Sequence, residues 1–417
     1  MRQNLRGCAY WLKFMPARLS KFGYTGSYGD LGPKSMMRGE WNVCNGGDDR
    51  PMTSTKILPL AKPRMFSYSS HATALAIMAN DDDYLPWFYS NYIQLCGLKD
   101  YKVVFDLPLD FYMGPRKDSN YYVNTNWLTF MCTTRQLVAS TCGDIIQFLI
   151  ACIDQDQYVA LHIDEYYMED RWAYRTRKWD HENLIFGYDL ERRIFQIIGF
   201  KGTNRKFEAS EIPFDTFEQA YAQIDDVFPN DWRSQILLYR KVNRDIGPFK
   251  GNYAFDLDLV IRTLEEYLAS ENGSEKFGMF QNRLSYLAFG LEVYDSIKNN
   301  LPAYWSDYRP MHVLLEHKSC MVERIQYLRD NGYLTEEEYA YLHESYSRMV
   351  RTCMVMRSTQ IRYIASKDRD KDRHLLDNIM TELDQLAAFE QEVMGRMVDI
   401  LKQSQARQAN LAVAYKA

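Results

Sequence analysis

The pattern of apolar and polar positions divides this chain into a mixed region and a helical region. From residue 63 to about residue 242, short apolar runs of strand character alternate with segments that repeat apolar residues at helical spacing. Beyond residue 249, long segments show only the helical spacing and contain almost no proline. We therefore predict an α+β domain over residues 60–245, with helices first and antiparallel strands later, followed by an all-α helical bundle over residues 250–405.

The individual elements follow from the same spacing. In the mixed region, helices are predicted over residues 70–80, 84–95 and 141–153, and strands over residues 102–107, 158–163, 184–186, 194–198 and 234–239. In the bundle, helices are predicted over residues 255–271, 275–299, 310–331, 335–365 and 373–403. Thr335 with Glu338 predicts a capping box at the start of the fourth bundle helix. Asn272-Gly273 and Asn331-Gly332 are typical helix stops.

A β-hairpin that opens directly after His181 is the first signal of chemistry. Residues 184–186 form one arm, Gly187-Tyr188-Asp189 begin the turn, and residues 194–198 form the return arm. Papain-like enzymes hold their general base at the mouth of such a hairpin, because the strand fixes the imidazole. The simpler interpretation is a histidine that only caps the strand.

Composition restricts the class of protein. Aromatic residues make up 14% and hydrophobic residues 46% of the chain, as in folded globular proteins. The net charge of −5 and the dispersed basic residues predict no binding to nucleic acid. The eight cysteines form no CxxC pairs, which favours free thiols in a reducing cytoplasm. The chain has no run of 18 apolar residues, so we expect no membrane span.

The first 51 residues differ from the rest of the chain. Residues 16–52 are rich in Gly, Ser, Arg and Pro and show no strand or helix periodicity, so we expect them to be disordered. Met52 begins a conventional opening, MTSTKILPLAKP. We therefore expect residues 1–51 to be an upstream extension and Met52 to be the biological start.

Three segments together carry a resemblance to a known family. SSHATALAIM, VALHIDEYYM and HENLIFGYD resemble the N-terminal domain of the butirosin biosynthesis protein H family, including relatives encoded beside nonribosomal peptide synthetases. That family is similar to papain-like cysteine peptidases, especially the bacteriocin-leader peptidases. Its named member is an acyltransferase that moves an aminoacyl group from an acyl carrier protein thioester onto an aminoglycoside amine. The resemblance covers residues 60–240 and implies a papain-like fold.

The resemblance also implies the positions of the catalytic residues. Ala74 and Leu75 match the small residue and the leucine that follow the family's nucleophilic cysteine, which puts Ser70 in the cysteine's place. The general base matches His181, and the orienting aspartate falls at Gly199. A serine cannot be ionised in advance as a thiol with a pKa of ~8.5 can. Ser70 is alternatively a helix N-cap.

Other polar residues are candidates for the cleft. Asn183 points to the same face of its strand as His181 and would orient the imidazole by a hydrogen bond. Asp189 would be a substitute acid, although its place in the turn is several residues from His181. Asp164 and Tyr166 match an aspartate and a tyrosine of the family, and would line the cleft or anchor the excursion.

Further candidates have simpler interpretations. Cys142 is expected at the start of helix 141–153, where the helix dipole would lower its thiol pKa, but a small packed residue is the simpler reading. Histidines 312, 317, 343 and 374 lie on bundle helices without the Glu/His spacing of a di-iron site. We predict no metal and no cofactor.

Three functions remain open. The first is acyl or peptidyl transfer from a carrier-protein thioester to a small-molecule amine in antibiotic or nonribosomal peptide biosynthesis, with turnover that depends on Ser70 and His181. The second is a catalytically degenerate papain-like pseudoenzyme that binds a synthetase. The third is a peptidase or amidohydrolase.

The bundle is expected to bind an acyl or peptidyl carrier protein or a second copy of the chain in a homodimer. Met349, Met354 and Met356, with Val350 and Val355, would give an adaptable apolar surface. Alternatively, these side chains pack in the core of the bundle.

Overall fold

The computed structural model describes residues 54–80, 82–101, 107–114, 127–224, 232–242, 254–279, 284–304 and 307–414. The chain from Thr53 onward forms one compact unit. The predicted N-terminal extension, residues 1–51, and most of the predicted strand 102–107 lie outside these residues. Within them, no single helix is long and apolar enough to cross a membrane, and one pair of helices bent by 95° meets that test by length and composition only.

The larger sheet has seven strands, all paired antiparallel. They are β1 (Thr55–Ile57), β4 (Leu128–Thr134), β5 (Tyr158–Asp164), β6 (Asp180–Asp189), β7 (Ile194–Lys201), β8 (Lys206–Pro213) and β9 (Gln235–Lys241). The strands β2 (Leu95–Leu98) and β3 (Leu109–Phe111) belong to a second sheet. The order in the larger sheet is β4-β9-β5-β6-β7-β8, and β1 pairs with the far end of β6. The antiparallel sheet is confirmed, and the predicted hairpin is β6–β7 with longer arms than expected.

Helices pack on both faces of this sheet. They are α1 (Ser69–Met78), α2 (Leu85–Asn91), α3 (Arg135–Thr141), α4 (Ile145–Asp154) and α5 (Phe214–Ala222). Phe214 and Phe217 of α5 pack against Phe195 of β7, with ring centroids 4.5 and 5.2 Å apart. Because side chains alternate along a strand, every second residue of β7 from Phe195 faces α5.

The C-terminal region consists mostly of long helices. It contains α6 (Leu257–Leu268), the short strand β10 (Leu287–Phe289), α7 (Glu292–Asn300), α8 (Arg309–Asp330), α9 (Glu336–Ile364) and α10 (His374–Ala414). The predicted helix 275–299 is wrong, because its middle is β10 and only its end is helical. The capping box is confirmed: the Thr335 hydroxyl accepts from Glu338 N, and the Glu338 carboxylate accepts from Thr335 N.

The second sheet joins the two predicted regions. β2 lies between β3 and β10, and all three pair antiparallel, so a strand from residues 95–98 is bonded to one from residues 287–289. One hydrophobic core also runs through both regions, from Leu75 of α1 to Leu401 of α10. The C-terminal region is therefore predominantly helical but shares its core and a sheet with residues 60–245.

A buried ion pair ties the C-terminal helices together. Lys318 of α8 contacts the Glu390 carboxylate of α10, and both side chains are fully buried. The hydroxyls of Tyr267 and Tyr294 donate to the second carboxylate oxygen of Glu390 at 3.0 and 2.7 Å. Four helices, α6, α7, α8 and α10, therefore meet at one satisfied carboxylate.

Candidate functional site

His181 lies at the start of β6 against a buried carboxylate. Its Nδ1 is 3.2 Å from Oε1 of Glu165, and the side chain of Glu165 is 1% exposed whereas that of His181 is 27% exposed. Among the described residues, neither atom forms a hydrogen bond of good geometry, although the distance between them is within hydrogen-bond reach. The ring of Phe200 packs against the imidazole with centroids 5.6 Å apart. His181 therefore combines an acid partner on one side with access to solvent.

Glu165 is fixed by its neighbours in the chain and by an arginine. It begins a 3₁₀ turn, Glu165–Tyr167, whose start is capped by the Asp164 side chain. Its Oε1 is also 3.6 Å from Nε of Arg171, whose side chain is fully buried. Arg171 in turn donates from Nη2 to Oδ1 of Asn183 at 2.9 Å. Burial lowers the pKa of Arg171, while Asp170 and Glu165 raise it.

Gly199, where the resemblance expects the orienting aspartate, has no room for a side chain. A Cβ on Gly199 would lie 2.4 Å from Oδ1 of Asn183 and 3.2 Å from Nη2 of Arg171. The Arg171–Asn183 pair therefore occupies the space that a side chain at position 199 would need. The acid of this site comes from Glu165 on the β5–β6 connection instead.

Helix α1 does not place Ser70 as an N-cap. The N-cap is Tyr68, which makes no side-chain capping bond, and Ser70 is the second residue of the helix. The hydroxyls of Ser69 and Thr73, one turn apart, lie against the carboxylate of Glu182 on β6. Burial raises the pKa of Glu182, and the charge of His181 and these two hydroxyls oppose the rise.

Strand alternation separates His181 from α1. Glu182 faces α1, so its neighbours His181 and Asn183 point to the other face of β6. Asn183 lies against Gly199. Gly199 and Phe195 are an even number of residues apart in β7, so both lie on the face of the strand that packs against α5. The structure therefore brings His181, Asn183 and Glu165 together, and it places Glu182 opposite the start of α1.

The other predicted site residues have structural partners. Asp189 accepts a hydrogen bond from Arg192 N at 3.0 Å within the hairpin turn, so it does not reach His181. Asp164 accepts from the backbone N of Tyr166 and of Trp179 at 3.0 and 2.9 Å, which anchors both ends of the excursion. The ring of Tyr166 packs edge-on against Tyr167 and is partly exposed.

Cys142 and the bundle methionines differ from their expected environments. Cys142 is the exposed C-cap of α3, and α4 begins later, at Ile145 with Asp144 as its N-cap. The predicted place of Cys142 at the start of a helix is therefore wrong. Of the bundle methionines, Met349 and Met356 are buried in the core, whereas Met354 is 54% exposed. The described residues contain no group of three or more metal-ligating side chains.

A pair of titratable groups with shifted pKa values, Glu316 and His312, lies beside the segment that enters α1. Glu316 of α8 accepts from the backbone N of Phe66 and Ser67 at 2.7 and 3.3 Å and contacts the Ser67 hydroxyl. Burial raises the pKa of Glu316 to about 7, against these hydrogen bonds and the charge of His71. Burial and the charge of Arg357 lower the pKa of His312, 3.6 Å away, to about 4. This pair is a neutral histidine beside a readily protonated carboxyl.

Glu165 follows Asp164 among the acids at the end of the predicted strand 158–163, but neither its pairing with His181 nor the role of Arg171 was predicted from the sequence. The sequence carries no signal for this pairing, because the register that sets Ile163 opposite His181, two residues before Glu165, is fixed only in the folded sheet. No protein-family model matches the chain, and no curated protein matches it.

Proposed function

We propose that this chain transfers an acyl or peptidyl group from a carrier-protein thioester to an amine, with His181 as the general base. The observation that carries the proposal is the pairing of a partly exposed imidazole with the buried carboxylate of Glu165 at 3.2 Å. A carboxylate on Nδ1 holds the tautomer that leaves Nε2 free to accept a proton. The resemblance to the butirosin biosynthesis protein H family supplies the expected substrate class.

The proposed reaction needs no nucleophile from the protein. The amine nitrogen attacks the thioester carbonyl carbon, and Nε2 of His181 takes the proton that the nitrogen loses. The carbon–sulfur bond then breaks, an amide forms, and the carrier thiolate takes the proton back from the imidazolium. Direct transfer of this kind suits this site, because the helix that carries Ser70 packs on one face of β6 and the His181 side chain points to the other face.

The proposal also includes a papain-like fold and a cytoplasmic location. We place the site on a papain-like scaffold in which the acid comes from the chain before β6, from Glu165, and not from the return strand. The free thiols expected from the cysteine pattern are the reason to place the reaction in the cytoplasm.

The test is turnover with purified components. An aminoacyl thioester on a holo carrier protein and a soluble aminoglycoside amine are mixed with the enzyme, and amide formation is followed by mass spectrometry. We expect His181→Ala to lower the rate on the order of 10²–10⁴-fold, the usual contribution of general acid–base catalysis. His374→Ala is the matched control, because His374 is exposed at the start of α10.

The variant at Ser70 separates direct transfer from an acyl-enzyme mechanism. Direct transfer predicts that Ser70→Ala keeps most of the wild-type rate. Loss of turnover in Ser70→Ala together with a trapped acyl-serine in the wild type would refute direct transfer.

A second function is favoured by one specific contact. Glu182, and not a histidine, lies against the hydroxyls of Ser69 and Thr73 at the start of α1. A carboxyl at that position favours a pseudoenzyme that binds a synthetase or its carrier protein without reaction. Binding of acylated carrier protein with no amide formed, and no effect of His181→Ala on binding, would support this second function.

A further inference from the structure

The surface beside His181 carries an unusual concentration of basic residues. Residues 171–178 and residues 201–206 contain seven Arg or Lys side chains and no acid, and all of the seven except the buried Arg171 reach the surface, although the whole chain has a net charge of −5. The first segment lies in the β5–β6 excursion and the second is the β7–β8 turn. An isolated bridge pairs Arg171 with Gly202, so the two segments adjoin.

Three arginines of these segments are held by aromatic rings. The guanidinium of Arg177 lies 3.9 Å from the ring centroid of Trp172, and that of Arg205 lies 4.3 Å from the same centroid. The guanidinium of Arg175 lies 4.9 Å from the ring of Tyr174. We call Trp172, Arg175, Arg177 and Arg205 the arginine surface. Stacking fixes the planes of these guanidinium groups while it leaves their N–H donors unused.

The arginine surface lacks the acids that neutralise other exposed arginines. Within the described residues, no ion pair joins Arg175, Arg177 or Arg205 to a carboxylate. Elsewhere on the protein, four exposed arginines have such partners: Arg192 with Glu211, Arg193 with Asp215, Arg351 with Glu344 and Arg407 with Glu338. Three described acids in or beside these segments have other partners: Asp170 contacts Arg171 and Lys201, Glu208 lies 4.0 Å from Lys206, and Glu169 accepts a hydrogen bond from the Tyr174 hydroxyl.

Two of these arginines also have costly backbone conformations. Arg175 and Arg205 have φ values of 51° and 48°, a left-handed conformation that side-chain-bearing residues seldom adopt. Such conformations are unfavourable for residues with a side chain and persist where the surrounding structure holds them. Arg193, in the β6–β7 turn at the opposite end of the sheet, has a φ of 52° but is paired with Asp215.

We propose that the arginine surface is the docking site for an acidic protein partner. Planar guanidinium groups with unused donors bind carboxylates in a bidentate manner, and a local positive patch on an acidic chain steers acidic surfaces to one place. Resting on the proposed function, this partner is the carrier protein that delivers the thioester. The excursion that bears Trp172 ends at β6, so a partner docked there has its acyl arm next to His181.

An acidic protein fits better than nucleic acid. A nucleic-acid duplex presents continuous negative charge to the whole protein, and the net charge of −5 of the whole chain, which includes this patch, opposes that approach. A small acidic domain contacts only the patch.

The binding test uses a labelled 20-residue poly-glutamate peptide and wild-type protein in low salt. We expect saturable binding that weakens at least tenfold when both Arg177→Glu and Arg205→Glu are introduced, and that also weakens when salt is raised. Arg193→Glu is the matched control, since it changes the charge of an exposed arginine that stacks on an aromatic ring. The neutral pair Arg177→Gln and Arg205→Gln provides a milder variant if the charge reversal prevents folding.

Turnover separates this proposal from the proposed function. The Arg177→Glu/Arg205→Glu variant should lose transfer from the carrier-protein thioester at least tenfold but keep transfer from the small N-acetylcysteamine thioester. If neither thioester is turned over by the wild type, the proposed function fails while the peptide binding still decides the docking site. Equal weakening of peptide binding by Arg193→Glu, or tighter binding of a single-stranded RNA of equal charge, would overturn the docking proposal.

Discussion

A methyl group at position 199 is the sharpest test of how His181 is held in place. Gly199→Ala adds one carbon at the point where β7 passes the Asn183 side chain. The structure places that carbon 2.4 Å from Oδ1 of Asn183, well inside van der Waals contact. Asn183 is 1% exposed, so its amide has no free space into which it can turn. We expect the methyl group to displace Asn183 from Arg171.

The cost follows from the contacts that are lost. The Arg171–Asn183 hydrogen bond is 2.9 Å long and buried, and a hydrogen bond to a charged group contributes about 1.5–3 kcal/mol. Overpacking a full core adds about 1–3 kcal/mol. Part of each term is recovered by small shifts, so we expect the free energy of unfolding to fall by about 3 kcal/mol. Because Arg171 also contacts Glu165, the turnover that depends on His181 should fall as well.

Urea unfolding followed by circular dichroism measures the change in stability. Gly395→Ala is the matched control, because nothing lies within 4 Å of a Cβ at that position in α10. We expect this control to be neutral or up to about 1 kcal/mol more stable, since alanine favours a helix over glycine. A Gly199→Ala protein with wild-type stability and wild-type turnover would refute the idea that the Arg171–Asn183 pair requires glycine at position 199.

Three further predictions concern buried carboxyl groups. Glu165→Gln should lower turnover on the order of 10³–10⁴-fold, as loss of the orienting acid does in a catalytic triad, and exposed Glu169→Gln should leave the rate unchanged; equal rates would contradict the role of Glu165. The folded protein holds a proton on Glu316 more tightly than the unfolded chain, because burial raises the pKa from 4.5 to about 7. This stabilisation is complete below pH 4.5 and is lost as the pH rises through about 7; it amounts to about 3 kcal/mol. Glu316→Gln should therefore lose this pH dependence in urea titrations, and an unchanged dependence would show that the slope has another source. Glu390→Ala leaves the Lys318 ammonium buried without an acid partner and should cost about 3–5 kcal/mol in unfolding free energy, whereas a cost below about 1 kcal/mol would mean that water reaches the lysine.

Long-period patterns in the sequence predicted the long elements of the fold. The helices α8 and α9 lie within a residue or two of the predicted ranges 310–331 and 335–365, because each repeats apolar positions over several turns. The strand β10 was hidden inside the predicted helix 275–299, since three residues are too few to show a period. Its partner β2 lies nearly two hundred residues earlier, and only the folded chain brings the two together.

The prediction of the candidate site depended on which alternate side chains of β6 face α1, and the sequence alone does not fix this. The hairpin pattern located His181 correctly at the start of β6, but whether its side chain or that of Glu182 faces α1 depends on the register of one strand. The alignment with SSHATAL assumed that His181 faces the helix, and a displacement of one residue gives that position to Glu182. The same register explains the acid, because Ile163 lies opposite His181 and the chain then turns so that Glu165 meets the imidazole from the strand that precedes it. The site therefore needs no carboxylate from β7. The space that a side chain at position 199 would fill is occupied by Asn183.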